Sequence, residues 1–171
     1  MATIRHGTVA DAPALAAFAA RTFQETFAHQ STEADMAAHL EKAYGVTQQA
    51  AELSDPDVTT LLAYRGGTLV AYAQMRRNRP PEVVPDPEAI ELRRFYVDRP
   101  AQGTGLAQTL MAAVFEAARA AGAKHVWLGV FERNPRAIAF YRKCGFRDVG
   151  SQVFMLGSDP QRDRVMLATV S

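Results

Sequence analysis

The apolar positions change their period along the chain. Ile4 opens a short apolar stretch, and Thr8-Val-Ala-Asp11 then has the spacing of a capping box, with Pro13 in the first turn, where its missing N–H is harmless. Leu15, Phe18, Thr22 and Phe23 follow near helical spacing, which predicts a helix to about Phe27. Thr32-Glu-Ala-Asp35 repeats the cap ahead of Met36, Leu40 and Ala43, and Gly45 stops this second helix. A third, short helix is predicted over Thr47–Leu53, before Ser54-Asp-Pro56.

From Val58 the period becomes two. Val58–Tyr64 and Thr68–Met75 flank Gly66-Gly67 and predict a hairpin. Arg79 to Glu88 holds four of the nine prolines, a loop long enough to cover a site. Beyond it the pattern predicts a strand (Ala89–Val97), a glycine-containing turn, a helix to Gly122, a strand (His125–Val130), a turn at Asn134-Pro135 and a helix from about Arg136 to Lys143 that Gly145 stops. Phe146–Leu156 and Arg164–Val170, joined by a polar Gly157-Ser-Asp-Pro160 turn, should pair antiparallel. No repeat and no linker interrupts this order, so residues 1–171 are predicted to form a single α/β domain with a mixed sheet.

Composition narrows the classes. At 171 residues one core can be buried, and 48% hydrophobic with 22% charged residues excludes collagenous, coiled-coil and wholly disordered readings. The single cysteine, Cys144, can form neither an internal disulfide nor a cysteine-based zinc cluster. The longest small-apolar run, Ala12–Ala20, is about half of what a membrane span needs, and the first residues lack the features of a signal peptide. A cytoplasmic location without a membrane partner is expected. His6, His29, His39 and His125 show no ligand-like spacing, so no metal is expected. Arg76-Arg77-Asn-Arg79 is one short basic run without a recognition helix, so no nucleic-acid partner is expected.

The net charge of +1 conceals an asymmetry. Residues 1–60 carry eight acids against three bases, net −5, and residues 61–171 carry sixteen bases against ten acids, net +6. An acidic half suits a cationic partner and a basic half an anionic one, with solvated surface the equal alternative for each.

The sharpest chemical feature is Gln102-Gly-Thr-Gly-Leu-Ala107, between a strand that ends at Val97 and a helix with apolar positions Leu106, Leu110, Val114 and Ala117. A strand, a glycine turn and a helix N-terminus make an anion site: the first N–H groups of a helix lack internal partners and lie at the positive end of its dipole. A Walker loop would need Gly-Lys-Ser/Thr, and Leu106 follows Gly105; a dinucleotide fingerprint would need a third glycine where Gln108 stands.

What remains is the pattern Gln/Arg-x-x-Gly-x-Gly/Ala, which resembles the GNAT family of N-acetyltransferases. The resemblance extends over Glu91-Leu-Arg-Arg-Phe-Tyr-Val97, Leu128-Gly-Val-Phe-Glu-Arg-Asn134 and Ala139-Phe-Tyr-Arg-Lys-Cys-Gly-Phe146, in the family's order and spacing. It implies a single-domain fold with a twisted, largely antiparallel mixed sheet flanked by helices, residues 1–75 largely on the acceptor side and 89–146 binding acetyl-CoA. By that resemblance the backbone of Gln102, Gly103, Thr104, Gly105, Leu106 and Ala107 holds the pyrophosphate of acetyl-CoA. Phe95, Tyr96 and Val97 belong to the strand that pairs with the pantetheine arm, and Asn134 contacts that arm, or else caps the last helix.

Tyr141 aligns with the family's general acid at the departing thiolate, the alternative being a packed aromatic. A phenol of pKa about 10 is a weaker acid than a thiol of about 8.5, so hydrogen-bond stabilisation is the role that energetics allows. Glu91 is the candidate proton acceptor, with a salt-bridged surface acid as its alternative. Strict alternation from Glu91 gives no clean face pattern, which a β-bulge near Arg93-Arg94 would explain. Cys144 reads as inert packing, Trp127 as core, and Arg142 and Lys143 either reach the 3′-phosphate of CoA or compensate a helix dipole.

For the acceptor, Glu25, Glu33 and Asp35 beside Phe23, Phe27 and Tyr44 suit an amine cation, and Thr22-Phe-Gln-Glu-Thr-Phe27 with Asp35-Met36 is similar to bacterial spermidine/spermine acetyltransferases of the Pai type. The expected reaction is direct attack of a small-molecule amine, with a polyamine favoured, on acetyl-CoA in a ternary complex. An amino acid, aminoglycoside or protein amine is the alternative acceptor, and a CoA-binding regulator without turnover the alternative class. A second copy of the chain, forming a homodimer, stays open as a partner.

Overall fold

The computed structural model describes residues 1–27 and 32–170; His29 and the side chain of Phe27 lie outside what is described. In chain order the elements are β1 (Thr3–His6), α1 (Ala12–Phe27), α2 (Glu33–Tyr44), α3 (Val46–Ser54), β2 (Val58–Arg65), β3 (Thr68–Arg76), β4 (Ile90–Val97), α4 (Leu106–Ala120), β5 (His125–Phe131), α5 (Pro135–Lys143), β6 (Arg147–Leu156) and β7 (Asp159–Thr169). One sheet orders the strands β1-β2-β3-β4-β5-β7-β6, and every neighbouring pair is antiparallel except β4 and β5.

The predicted caps operate in different ways. Thr32 Oγ1 accepts from the Asp35 N–H at 3.1 Å and starts α2. At Thr8 the carboxylate of Asp11 accepts from the Thr8 N–H at 2.8 Å, but the cap opens a single 3-10 turn, Val9–Asp11, and α1 begins after it. The last hairpin differs more from expectation. Its turn is only Gly157-Ser158, and β7 begins at Asp159 because the polar stretch up to Arg164 pairs with β6 residue by residue.

The sheet separates two cores. On one side α4 packs Leu110, Met111 and Val114 against Val126 and Leu128 of β5; on the other, α1 and α2 pack Leu15, Phe18, Phe23, Met36 and Tyr44 against Leu62 of β2 and Tyr72 of β3. The proline-rich loop lays Val84 on Trp127 and Val165, a third, smaller cluster.

β4 changes face partway along. Gln74 of β3 pairs with Arg94 and Met75 with Leu92, so Arg93 is an extra, bulged residue. Before the bulge Ile90 and Leu92 pack in the α4 core; after it Phe95 and Val97 do, while Tyr96 packs with the aromatics of the opposite core. Arg94 shares the orientation of Tyr96 and is buried there.

A buried guanidinium requires partners, and Arg94 has several. It donates to both oxygens of Glu52 on α3 and, at 2.7 Å, to Gln74 Oε1, and it lies 4.6 Å from the ring centroid of Tyr44. Both members of the ion pair expose only 5% of their side chains. Removing one partner of such a pair costs about 3–5 kcal/mol because the other charge stays buried. Glu52→Ala is therefore expected to lower the midpoint of thermal unfolding, followed by circular dichroism, by at least about 6 °C. A shift below about 2 °C would show that water reaches Arg94 and that the pair contributes little.

Candidate active site

β4 and β5 pair only at Ile90–Val126 and Glu91–Trp127. From Leu92 onward β4 has no partner on its β5 side, an open edge inside the sheet with unpaired N–H and C=O groups. A cavity of about 880 Å³ occupies this region. Its walls come from the turn before α4, from α5, from α1 and α2, and from the β6–β7 hairpin.

The turn is built from two left-handed glycines. Gly103 has φ 75° and Gly105 φ 86°, conformations that L side chains rarely adopt, and Gly105 serves as the N-cap of α4. Among the described residues no backbone carbonyl accepts from the N–H groups of Gly103 through Gln108, the donor arrangement that binds oxyanions at a helix N-terminus. Gln102 fixes the turn to the end of β4 by donating from Nε2 to the Val97 carbonyl at 3.0 Å. Gln102, Gly103, Gly105 and Ala107 line the cavity. Thr104 and Leu106, also expected there, do not line it: the Thr104 hydroxyl donates to the Ala101 carbonyl, and the Leu106 side chain is buried in the α4 core.

Phe95, Tyr96 and Val97 all line the cavity but face different ways. Phe95 meets Phe140 and Tyr141 of α5 at ring-centroid distances of 5.7 and 6.3 Å, whereas Tyr96 stacks on Tyr72 at 5.7 Å. Tyr141 also contacts Phe146, and it lines the cavity, so it is packed and accessible at once. Burial pushes its pKa well up, with the neighbouring Cys144 adding to the rise, so the phenol stays a hydrogen-bond donor at ordinary pH. Asn134 lines the cavity while its Oδ1 accepts from the Ala137 N–H at 3.2 Å, capping α5. Its amide NH2 is left to donate into the cavity.

Glu91 stands where the β4–β5 pairing ends, just before the bulge, and Asn78 donates to its Oε1 at 2.7 Å. It also lines the cavity. Arg142 and Lys143 do not; both are exposed in the last turn of α5. Burial raises the pKa of Cys144, which leaves it a poor nucleophile. Among the described residues no group of three or more His, Cys, Asp or Glu could hold a metal ion, and no helix is long and apolar enough to cross a membrane.

Of the acids expected at the acceptor side, Glu25 lines the cavity, 3.3 Å from Arg21. Asp35 instead accepts from the N–H and hydroxyl of Ser158 in the β6–β7 turn, and Glu33, exposed at the start of α2, does not line the cavity. The sequence reading missed His39 and the hairpin residues Gln152, Phe154, Gln161 and Asp163, which also line it. His39 sits among Phe23, Tyr44 and Phe154 at 4.6–5.8 Å, and burial, helped by Arg94, lowers its pKa and favours the neutral ring. The available signal was alternation: Gln161 and Asp163 continue the buried face of Val165 and Leu167.

The profile of the family described as "Acetyltransferase (GNAT) family" matches residues 18–146. The chain is 36% identical over 157 residues to an uncharacterised N-acetyltransferase of Mycobacterium tuberculosis, covering 92% of this chain and 96% of that one. Among solved structures it is similar to the PaiA N-acetyltransferase from Thermoplasma acidophilum in complex with coenzyme A (TM-score 0.80, 20% identity, 99% of both chains). It is also similar to the ribosomal-protein-alanine N-acetyltransferase from Brucella melitensis (TM-score 0.72, 28% identity, 98% of this chain and 99% of that chain).

The turn geometry gives a direct test. Gly105→Glu puts a carboxylate among the free N–H groups at a positive φ, and calorimetric titration is expected to show CoA affinity lowered by at least a hundredfold. Gly105→Ala introduces the strain without the charge and should retain measurable binding. Full affinity in the glutamate variant would remove this turn from the anion site.

Proposed function

The chain belongs to the GNAT family of acetyltransferases, and we propose that this member, an acetyl-CoA-dependent N-acetyltransferase, acts on a small cytoplasmic polyamine such as spermidine or spermine. The observation that carries this reading is the lining of one cavity, in which the carboxylates Glu25 and Glu91 join the aromatics Phe23, Tyr44, Tyr96 and Phe154, alongside the guanidinium groups of Arg93, Arg94, Arg99 and Arg136. Aromatic faces and carboxylates together attract ammonium groups.

Acetyl-CoA supplies an activated acetyl thioester. In the proposed assignment the free N–H groups from Gly103 to Ala107 bind its pyrophosphate. The open edge of β4 from Phe95 to Val97 pairs with the pantetheine arm as an added strand would, and the Asn134 amide donates to that arm. A main-chain N–H of the same edge donates to the carbonyl oxygen as charge develops on it. The amine must lose a proton before it attacks, and bringing a pKa of about 10.4 to pH 7.4 costs roughly 4 kcal/mol. Glu91, oriented by Asn78, accepts that proton directly or through water. Tyr141 donates a hydrogen bond to the departing sulfur. Residues 1–75 form most of the acceptor side in this assignment.

A second reading, acetylation of a protein amine, is favoured by the similarity to the ribosomal-protein-alanine enzyme. Thiol release from acetyl-CoA with spermidine, spermine, lysine, kanamycin and an alanine-terminated peptide separates the two, with turnover of polyamines expected. Turnover of the peptide alone would replace the polyamine reading, and tight CoA binding without turnover on any amine would favour a regulator. Tyr141→Phe is expected to lower kcat at least tenfold with CoA affinity unchanged, and an unchanged kcat would end its proposed role.

A further inference from the structure

The β7 wall of the cavity carries a carboxyl group that the reaction above does not use. Asp163 is 7% exposed, yet it lines the cavity. Among the described residues no hydrogen bond or ion pair neutralises it.

Strand register accounts for its place. Asp163 pairs with Phe131 of β5 and Gln152 of β6. Alternation sets it on the sheet face of Gly129 and Trp127, and Trp127 pairs in turn with Glu91 across the β4–β5 junction. Gly129 leaves the space that the carboxyl takes: a Cβ there would lie 3.0 Å from Asp163 Oδ2 and 2.5 Å from Gln152 Nε2. Carboxyl and amide therefore lie over bare main chain beside the opening in the sheet.

Glu91 and Asp163 thus stand on one face of one cavity, two strands apart and four residues along. Ideal strand spacing separates their Cα atoms by roughly 16 Å. With both side chains reaching inward, the two carboxylates can engage two amino groups of an extended chain, whereas an acceptor with one amino group can satisfy only one of them.

We propose that Asp163 anchors a protonated amino group of the acceptor other than the one that is acetylated, which makes the enzyme selective for diamines and polyamines. This rests on the amine-acceptor reading above and assigns a residue to its selectivity. The contact is an ion pair, and the anchored nitrogen keeps its proton. The charges around Asp163 fit the role. Glu132, at the end of β5, is like-charged, and burial with Glu132 beside it raises the Asp163 pKa to about 7. His39 across the cavity favours its neutral form. Arg162 and Arg164 alternate to the other face of β7, and Arg164 is held by Asp148 at 2.7 Å. Arg93, Arg94, Arg99 and Arg136 line the same cavity, but none is ion-paired with Asp163. Among the described residues this buried carboxyl has no counter-ion, and the acceptor brings one.

The test is a steady-state comparison of propylamine, 1,3-diaminopropane, putrescine and spermidine with wild type and Asp163→Asn. Wild type is expected to prefer the diamines over propylamine in kcat/KM. In Asp163→Asn that preference should collapse through a rise of at least tenfold in diamine KM, with kcat within about threefold and CoA affinity unchanged. The pH profile gives a second readout. The ionised fraction of a carboxyl with pKa about 7 grows about tenfold from pH 6 to 8. The wild-type diamine KM, taken relative to that of propylamine so that titration of the attacking amine cancels, should fall accordingly, and the same ratio in Asp163→Asn should stay flat. Should the asparagine variant not fold, Gly129→Ala, which displaces the carboxyl, must raise the diamine KM in the same way.

An unchanged diamine preference in the variant would overturn the anchor and leave the polyamine reading standing. A wild-type enzyme that takes only single-amine acceptors would overturn both. Polyamine turnover with the preference lost in the variant supports both.

Discussion

Arg94 decides how the second half of β4 is presented. Because Arg93 bulges, the next side chain must turn away from α4 and enter the opposite core, and a guanidinium can stay there only with its charge met. Glu52, Gln74 and the face of Tyr44 meet it. With that orientation held, Phe95 is directed toward Tyr141 and Tyr96 toward the aromatics of α1 and α2. The same stretch is left unpaired on its β5 side. Arg94 itself lines the cavity, and its pairing with Glu52 ties that wall to α3.

The legibility of this molecule in its sequence follows the range of the interactions involved. Elements determined by their own residues were readable: Thr32 and Gly45 bound α2, Gly66-Gly67 turn the first hairpin, and Gln102–Ala107 mark a helix start with free donors. A bulge near Arg93 was suggested by the failed alternation after Glu91, and the sheet has it at that residue. What escaped depends on pairing between distant segments. Nothing local marks Glu52 as the partner of a residue 42 positions away, and β7 was begun too late because its first residues are polar and are held by β6. Asp163 was lost with them.

The division of charge between the halves of the chain gave a partial guide. The acidic half spends three of its eight carboxylates on internal contacts: Asp11 on Arg5, Glu52 on Arg94, Asp35 on the far hairpin. The least solvated acid of the cavity comes instead from the half with the positive excess. Net charge counts residues, while recognition depends on which of them lack a partner. One buried carboxyl without a counter-ion says more about a cation than five exposed ones do.

The two sides of the cavity are also made of different material. The turn before α4 offers main-chain N–H groups, while the wall opposite offers side chains such as Phe23, His39, Phe154 and Asp163. Apart from its two glycines, the turn keeps its donors through almost any substitution, since a backbone amide is common to every residue but proline. The opposite side changes with each codon. A lineage built on this plan can exchange one acceptor for another by drift in a handful of positions while its donor chemistry is inherited intact, so descent predicts the donor far better than the acceptor.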